Sequence, residues 1–176
     1  MFVTLEKVSR LDHAAFVELM GSLFEHSPWV AERAWRRRPF GTLDELAEAF
    51  TAAVFSATEA EQLSLIRSYP DLAGSEAAAG TLTSESVGEH ASAGLDRLTN
   101  EEHERLERLN AAYRERFEMP LVFCSREHTT ESILAEGEAR LAHDRTQELR
   151  TALGEIAKIG RLRLLDRVRP NEEAVL

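Results

Sequence analysis

The run Ser86-Val87-Gly88-Glu89-His90 places a hydroxyl, a carboxylate and an imidazole within five residues. An imidazole has an unperturbed pKa of about 6.5, so His90 suits acid–base work near neutrality. Glu89 is an acceptor for N–H groups, and Ser86 can add another hydrogen bond. Consecutive helical residues diverge by about 100°, so Glu89 and His90 need not pair directly. A second segment, Tyr69-Pro70-Asp71-Leu72-Ala73-Gly74, offers a phenol. With an ordinary pKa near 10, Tyr69 is a poor base but a capable hydrogen-bond donor. Late in the chain, Arg163 carries a planar fork that can hold a carboxylate or carbonyl.

Each candidate also has a plain structural reading. The spacing Ser86-x-x-Glu89 is that of a helix N-cap completed by a capping box. Asp71 can cap a following helix. Arg163 on a terminal helix reads equally as a solvated or salt-bridged surface residue. Trp29 and Trp35 read as core before they read as stacking platforms for a ligand. Cys124, in the apolar run Leu121-Val122-Phe123-Cys124, reads as a small buried hydrophobe rather than a nucleophile. His103 is expected to be exposed.

The elements that must position these residues are helical. Leu11, Ala14, Ala15, Leu19 and Leu23 recur at helical spacing behind Asp12. Ser27 as cap and Pro28 at the first helical position open a helix that stops before Pro39. Thr42 with Glu45 forms a capping-box pattern ahead of Leu46, Ala49, Phe50 and Val54. Thr58 starts a helix that must end near Ser68, because Pro70 follows. Residues 69–80 mix loop and helix, and 84–95 read as loop or short helix. Thr99 opens a long helix broken at Met119-Pro120. Residues 121–124 read as a buried, strand-like link. Thr130 opens another helix, and a last one runs over about 144–168. The expectation is an all-α, single-domain bundle of seven to eight helices with almost no strand.

Composition narrows the function classes. The chain has 176 residues, enough for one domain with a sizeable core. Its net charge of −10 disfavours nucleic acid as a partner. The basic cluster Arg36-Arg37-Arg38 reads first as a solvated helix end and second as a rim that attracts an anion. A single cysteine excludes an internal disulfide framework and suits a reducing, cytoplasmic setting. No stretch approaches the ~20 apolar residues of a membrane span, so no membrane partner is expected. Residues 1–10 lack the apolar core of a signal peptide, and Ala174-Val175-Leu176 is not a peroxisomal signal. There is no Gly-rich phosphate loop, zinc helix or nucleophile elbow in the sequence. None of the six histidines pairs with another at metal-ligand spacing, so no metal site is expected.

Four segments carry a resemblance when taken in order. They are Trp29 through Trp35 with Arg38-Pro39-Phe40; Tyr69 through Gly74; Ser86 through His90 with Ala93-Gly94-Leu95; and Leu109-Asn110-Ala111-Ala112-Tyr113 through Arg116-Phe117 to Met119-Pro120-Leu121, joined by Ile159-Gly160-Arg161-Leu162-Arg163-Leu164. The series resembles the ureidoimidazoline (OHCU) decarboxylases over roughly residues 10–168. That resemblance implies an all-helical, cofactor-free homodimer. It implies conversion of 2-oxo-4-hydroxy-4-carboxy-5-ureidoimidazoline to S-allantoin and carbon dioxide in urate breakdown. It also implies a catalytic group at position 69, a carboxylate and an amide at 89 and 90, and substrate contacts at Pro70, Ser86, Met119, Leu121 and Arg163.

Two positions depart from the family pattern. Its catalytic histidine is Tyr69 here, and its glutamine is His90 here. One reading moves the imidazole role to His90, with Glu89 and Tyr69 as catalytic companions. The alternatives are a divergent member acting on another ureido or imidazoline compound, or a helical interaction module without catalysis.

Overall fold

Short polar side chains open most of the helices. In the computed structural model, which describes residues 2–171, Asp12 accepts from Ala15 N at 2.9 Å to start α2 (His13–Met20). Thr42 starts α4 (Leu43–Phe55), and Thr99 starts α8 (Asn100–Phe117) in a full capping box with Glu102. Thr129 starts α9 (Thr130–Arg140), and Asp144 accepts from Gln147 N in the first turn of α10 (Arg145–Arg167). Such caps satisfy N–H groups that have no partner within the helix.

The remaining elements are α1 (Leu5–Ser9), α3 (Trp29–Trp35), α5 (Glu59–Arg67), α6 (Ser75–Ala79) and α7 (Ser84–Ser92). Two-residue strands β1 (Val3–Thr4) and β2 (Val168–Arg169) pair in parallel, Val3 opposite Val168. The all-α reading holds. Among the described residues eight helices have seven or more residues, within the expected seven to eight, and the five-residue α1 and α6, too short to show a period, bring the total to ten. The tripeptide at 174–176 lies outside the described residues.

Backbone packing divides the chain into two compact units, Met1–Leu65 with Ala157–Leu176, and Ile66–Ile156. Helix α10 contributes its first half to the second unit and its second half to the first. In the first unit Phe16 stacks on Phe40 and Phe50, and Phe50 on Phe24, with centroids 6.0–6.1 Å apart. Gly160 lets α10 approach this aromatic core closely. A Cβ there would lie 2.4 Å from Phe24 Cζ, well inside contact distance.

The expected cap of α3 is corrected. Ser27 Oγ donates to the Glu25 carbonyl at 2.8 Å instead of accepting from the helix, and the residue before α3 is Pro28. The Thr42–Glu45 box is half formed. Thr42 caps Glu45 N, but Glu45 Oε2 turns to Gly41 N at 2.6 Å.

In the second unit α8 packs on α9 around Leu106, Leu109, Ile133 and Leu134, all buried. Residues 121–124 are buried as expected, together with 119 and 120, but form no strand. With no neighbouring strand to pair with, their backbone groups turn to charged side chains. Arg140 Nη1 donates to the Val122 carbonyl at 2.8 Å, and Cys124 N donates to Glu155 Oε2 at 2.8 Å. Arg140 is itself paired with Glu148, which has no exposed surface. Glu148 also accepts from Tyr113 O–H at 2.5 Å and lies 2.8 Å from His143 Nδ1. Burial, first of all, pushes the Tyr113 phenol well above its usual range, so it stays a neutral donor to Glu148.

Candidate active site

Helix α7 buries two side chains, Ser86 and His90, and both are polar. They are four residues apart and so share one face of the helix. Ser86 is 3% exposed and His90 8%. Glu89, three residues after Ser86, is half-buried, whereas Val87 and Gly88 face outward. A helix that only stabilised the fold would turn apolar residues inward at these positions. Burying a hydroxyl and an imidazole instead is costly unless something uses their hydrogen-bonding capacity.

Ser86 is not the helix cap. Thr83 takes that role, its Oγ1 accepting from Ser86 N at 3.3 Å. Glu89 therefore completes no capping box with Ser86. Thr83, Ser84 and Ser86 are all competent caps, so residue type alone could not choose among them.

Tyr69 follows the end of α5, which the coming Pro70 forbids from continuing. Its N–H closes a turn to the Ile66 carbonyl at 3.1 Å, and its side chain is 5% exposed. Pro70 is half-buried. Met119 and Leu121 are fully buried just beyond α8. All of these residues belong to the second unit.

Arg163 lies in the first unit. It is not a surface residue, being 3% exposed. Its Nη2 donates to Glu25 Oε1 at 2.9 Å and its Nη1 to the Leu23 carbonyl at 3.3 Å. Glu25 was not singled out in the sequence, where nothing local ties it to a residue 138 positions away.

The other readings resolve as follows. Arg36, Arg37 and Arg38 are exposed. The two tryptophans are half-buried rather than core, Trp35 lying under Arg38 and Trp29 under Arg33. Cys124 is 1% exposed, as a packing residue would be, and His103 is exposed. Asp71 caps no helix and pairs instead with Arg114. Among the described residues no three His, Cys, Asp or Glu side chains are grouped to hold a metal.

The model of the OHCU decarboxylase family matches residues 9–165. The chain belongs to the OHCU decarboxylase family. It is 44% identical over 165 residues to the 2-oxo-4-hydroxy-4-carboxy-5-ureidoimidazoline decarboxylase of Haloferax volcanii, covering 94% of this chain and 96% of that one. The enzyme of the same name from Mus musculus is 41% identical, over 91% of this chain and 90% of its own. Among solved structures, a crystal structure of (S)-allantoin synthase superposes with a TM-score of 0.76 at 28% identity. That match covers 95% of this chain and 54% of the other.

Within this OHCU decarboxylase fold, two residues of α8, Asn110 from the fourth resemblance segment and Arg114, take a role that the sequence did not assign them. Asn110 and Arg114 reach the loop that follows Tyr69. Their four-residue spacing puts them on one helix face.

Proposed function

We infer that the chain decarboxylates 2-oxo-4-hydroxy-4-carboxy-5-ureidoimidazoline, leaving (S)-allantoin, in urate degradation. The substrate bears a carboxylate and a hydroxyl on one ring carbon. Breaking the bond to the carboxylate releases carbon dioxide, and the electron pair moves into the neighbouring imine, whose nitrogen takes up a proton. The enol-like intermediate then takes a proton on the adjacent carbon from one face. Its hydroxyl gives up a proton and becomes the ring carbonyl.

The observation that carries the residue assignment is the polar buried face of α7, Ser86 with His90 and Glu89 at its margin. His90 is the proton carrier, because an imidazole exchanges protons near neutrality. Glu89 accepts from the ureido and ring N–H groups. Tyr69 donates its O–H to the substrate hydroxyl or ureido oxygen, and Ser86 supplies one more hydrogen bond. Pro70, Met119 and Leu121 give an apolar wall, and a dry surrounding strengthens each polar contact. Arg163 is assigned no step, since Glu25 and the Leu23 carbonyl already engage its guanidinium.

A homodimer working in the cytoplasm without a cofactor accords with this reading. It is supported by family membership and by the lone buried cysteine. Sedimentation velocity tests the dimer.

The activity test forms the substrate in situ from urate with urate oxidase and the hydrolase, and follows (S)-allantoin by circular dichroism. The wild-type chain is expected to accelerate its appearance over spontaneous decay, and His90→Asn to lose most of that acceleration. No acceleration by the wild-type chain rules out this substrate and favours another ureido or imidazoline compound. Full turnover by His90→Asn removes the imidazole from its role.

A further inference from the structure

The loop 69–74 leaves α5 at Tyr69-Pro70 and makes a tight turn. Gly74 N donates to the Asp71 carbonyl at 3.2 Å. Ala73 sits at φ +48°, a left-handed conformation that costs a residue with a Cβ about 1–2 kcal/mol. A turn of this kind persists only where its surroundings hold it. Here the holding groups come from one face of α8. Arg114 Nε lies 3.1 Å from each oxygen of Asp71, and its Nη2 lies 2.9 Å from Oδ1. One turn earlier, Asn110 Nδ2 donates to the Leu72 carbonyl at 3.0 Å. That acceptor fixes which end of the amide points at the loop. On the other side of Tyr69, Arg67 Nε donates to the Glu118 carbonyl just past α8, at 3.0 Å.

We propose that Arg114 and Asn110 are positioning residues of the decarboxylase: they hold Asp71 and Leu72 against α8 and thereby set where the Tyr69 phenol points. This rests on the reading that Tyr69 touches substrate. Pro70 is the mechanical link. Its φ is fixed by the ring, so a displacement of Asp71 passes to Tyr69 rather than being absorbed between them. Side-chain exposures of 48% for Arg114 and 27% for Asp71 place the pair at the protein surface, where ion pairs add little stability. A planar guanidinium spanning both carboxylate oxygens does constrain orientation. Misplacing a reacting or binding group by about 1 Å lowers turnover by as much as ~100-fold.

A comparison pair is at hand. Arg105 grips Glu138 with the same fork, at 2.6 and 2.8 Å and similar exposure, but joins α8 to α9 and touches no site loop. The test measures kcat, KM and thermal midpoint for Arg114→Ala, Asp71→Asn, Glu138→Gln and Tyr69→Phe, and for Arg114→Ala placed on Tyr69→Phe. Arg114→Ala and Asp71→Asn are expected to lower kcat about tenfold with thermal midpoints within about 3 °C of wild type. Glu138→Gln is expected to leave kcat unchanged. On the Tyr69→Phe background, Arg114→Ala is expected to add little further loss. The double exchange Asp71→Arg with Arg114→Asp is expected to recover part of the rate.

Unchanged kcat in both Arg114→Ala and Asp71→Asn overturns the proposal while leaving the Tyr69 reading intact. An equal loss from Arg114→Ala with or without the phenol overturns it too, because the effect would not pass through Tyr69. Full activity of Tyr69→Phe removes the Tyr69 reading itself and this proposal with it. If Arg114→Ala fails to fold, Asp71→Asn, which keeps the side chain's size, decides the matter.

Discussion

Two irregular segments of the second unit, residues 69–74 and 119–124, each carry residues assigned to substrate, and they are held by opposite means. The first is gripped by an ion pair and an amide near the surface, Asp71–Arg114 and Leu72–Asn110. The second is held from inside, by Arg140 on the Val122 carbonyl and Glu155 on Cys124 N. Arg140 is 5% exposed and lies 4.7 Å from the Phe123 ring centroid, and its partner Glu148 is wholly buried. A surface pair can be lost while its groups return to water. A buried pair cannot be half removed without stranding a charge. The same side-chain chemistry therefore tunes position in one segment and underwrites folding in the other.

Breaking the buried arrangement should give the largest effect. Arg140→Met leaves Glu148 buried without its guanidinium and frees the Val122 carbonyl. It is expected to cost about 3–5 kcal/mol of folding stability, measured from the urea midpoint. Replacing both charges at once, Arg140→Met with Glu148→Leu, is expected to cost less than Arg140→Met alone. If the double variant is instead the less stable of the two, the stranded charge is not the source of the loss. Tyr113→Phe takes one donor from the Glu148 carboxylate and keeps the ring, so a smaller loss of about 1.5–3 kcal/mol is expected. Calorimetry of Tyr113→Phe checks it.

The surface arrangement should respond the other way round. Asp71→Asn is expected to change stability by less than ~1 kcal/mol while its turnover falls. Raising ionic strength from 0.05 to 0.5 M, values chosen to span a Debye length of about 10 Å, should weaken the Asp71–Arg114 pair. Wild-type kcat is then expected to drift toward that of Asp71→Asn, whose own kcat should not move. A stability loss in Asp71→Asn as large as that of Arg140→Met would erase the distinction between the two segments.

The contrast also marks how far the sequence is legible. Helices α4 and α8 are readable because Thr42 and Thr99, each ahead of a helical apolar pattern, are local capping signals. Burial of 121–124 is readable from its unbroken apolar run, but the absence of a strand is not, because that depends on what lies alongside. Arg140, Glu148 and Tyr113 meet across 35 residues of chain, and no periodicity announces such a meeting. At the candidate site, Ser86, Glu89 and His90 stand out by type and spacing. Which of them caps the helix is decided by Thr83, one of several equivalent hydroxyls. The partners that fix the loop after Tyr69 lie 38 and 43 residues away, and no local pattern ties them to it.

The smallest effect is expected at a half-buried pair in the first unit. Arg33 forks onto Glu61 at 3.2 and 2.5 Å, and Thr58 N donates to the same carboxylate at 2.9 Å. The Arg33 guanidinium, then the Thr58 N–H, hold the Glu61 carboxyl down from the ordinary 4.5 to about 2. A carboxyl whose pKa is lower folded than unfolded stabilises the fold above the unfolded value, and that contribution disappears as pH falls through the folded value. Glu61→Gln is therefore expected to lower the thermal midpoint slightly at pH 7. The difference from wild type should narrow as pH drops from 4.5 toward 2. Solvent screening keeps the effect small, and 1 M salt, with a Debye length of about 3 Å, should remove most of it. Thermal midpoints of both proteins across that pH range measure it. A gap that widens on acidification would mean that Glu61 holds its proton more tightly folded than unfolded, and the surface half of the comparison would need another basis.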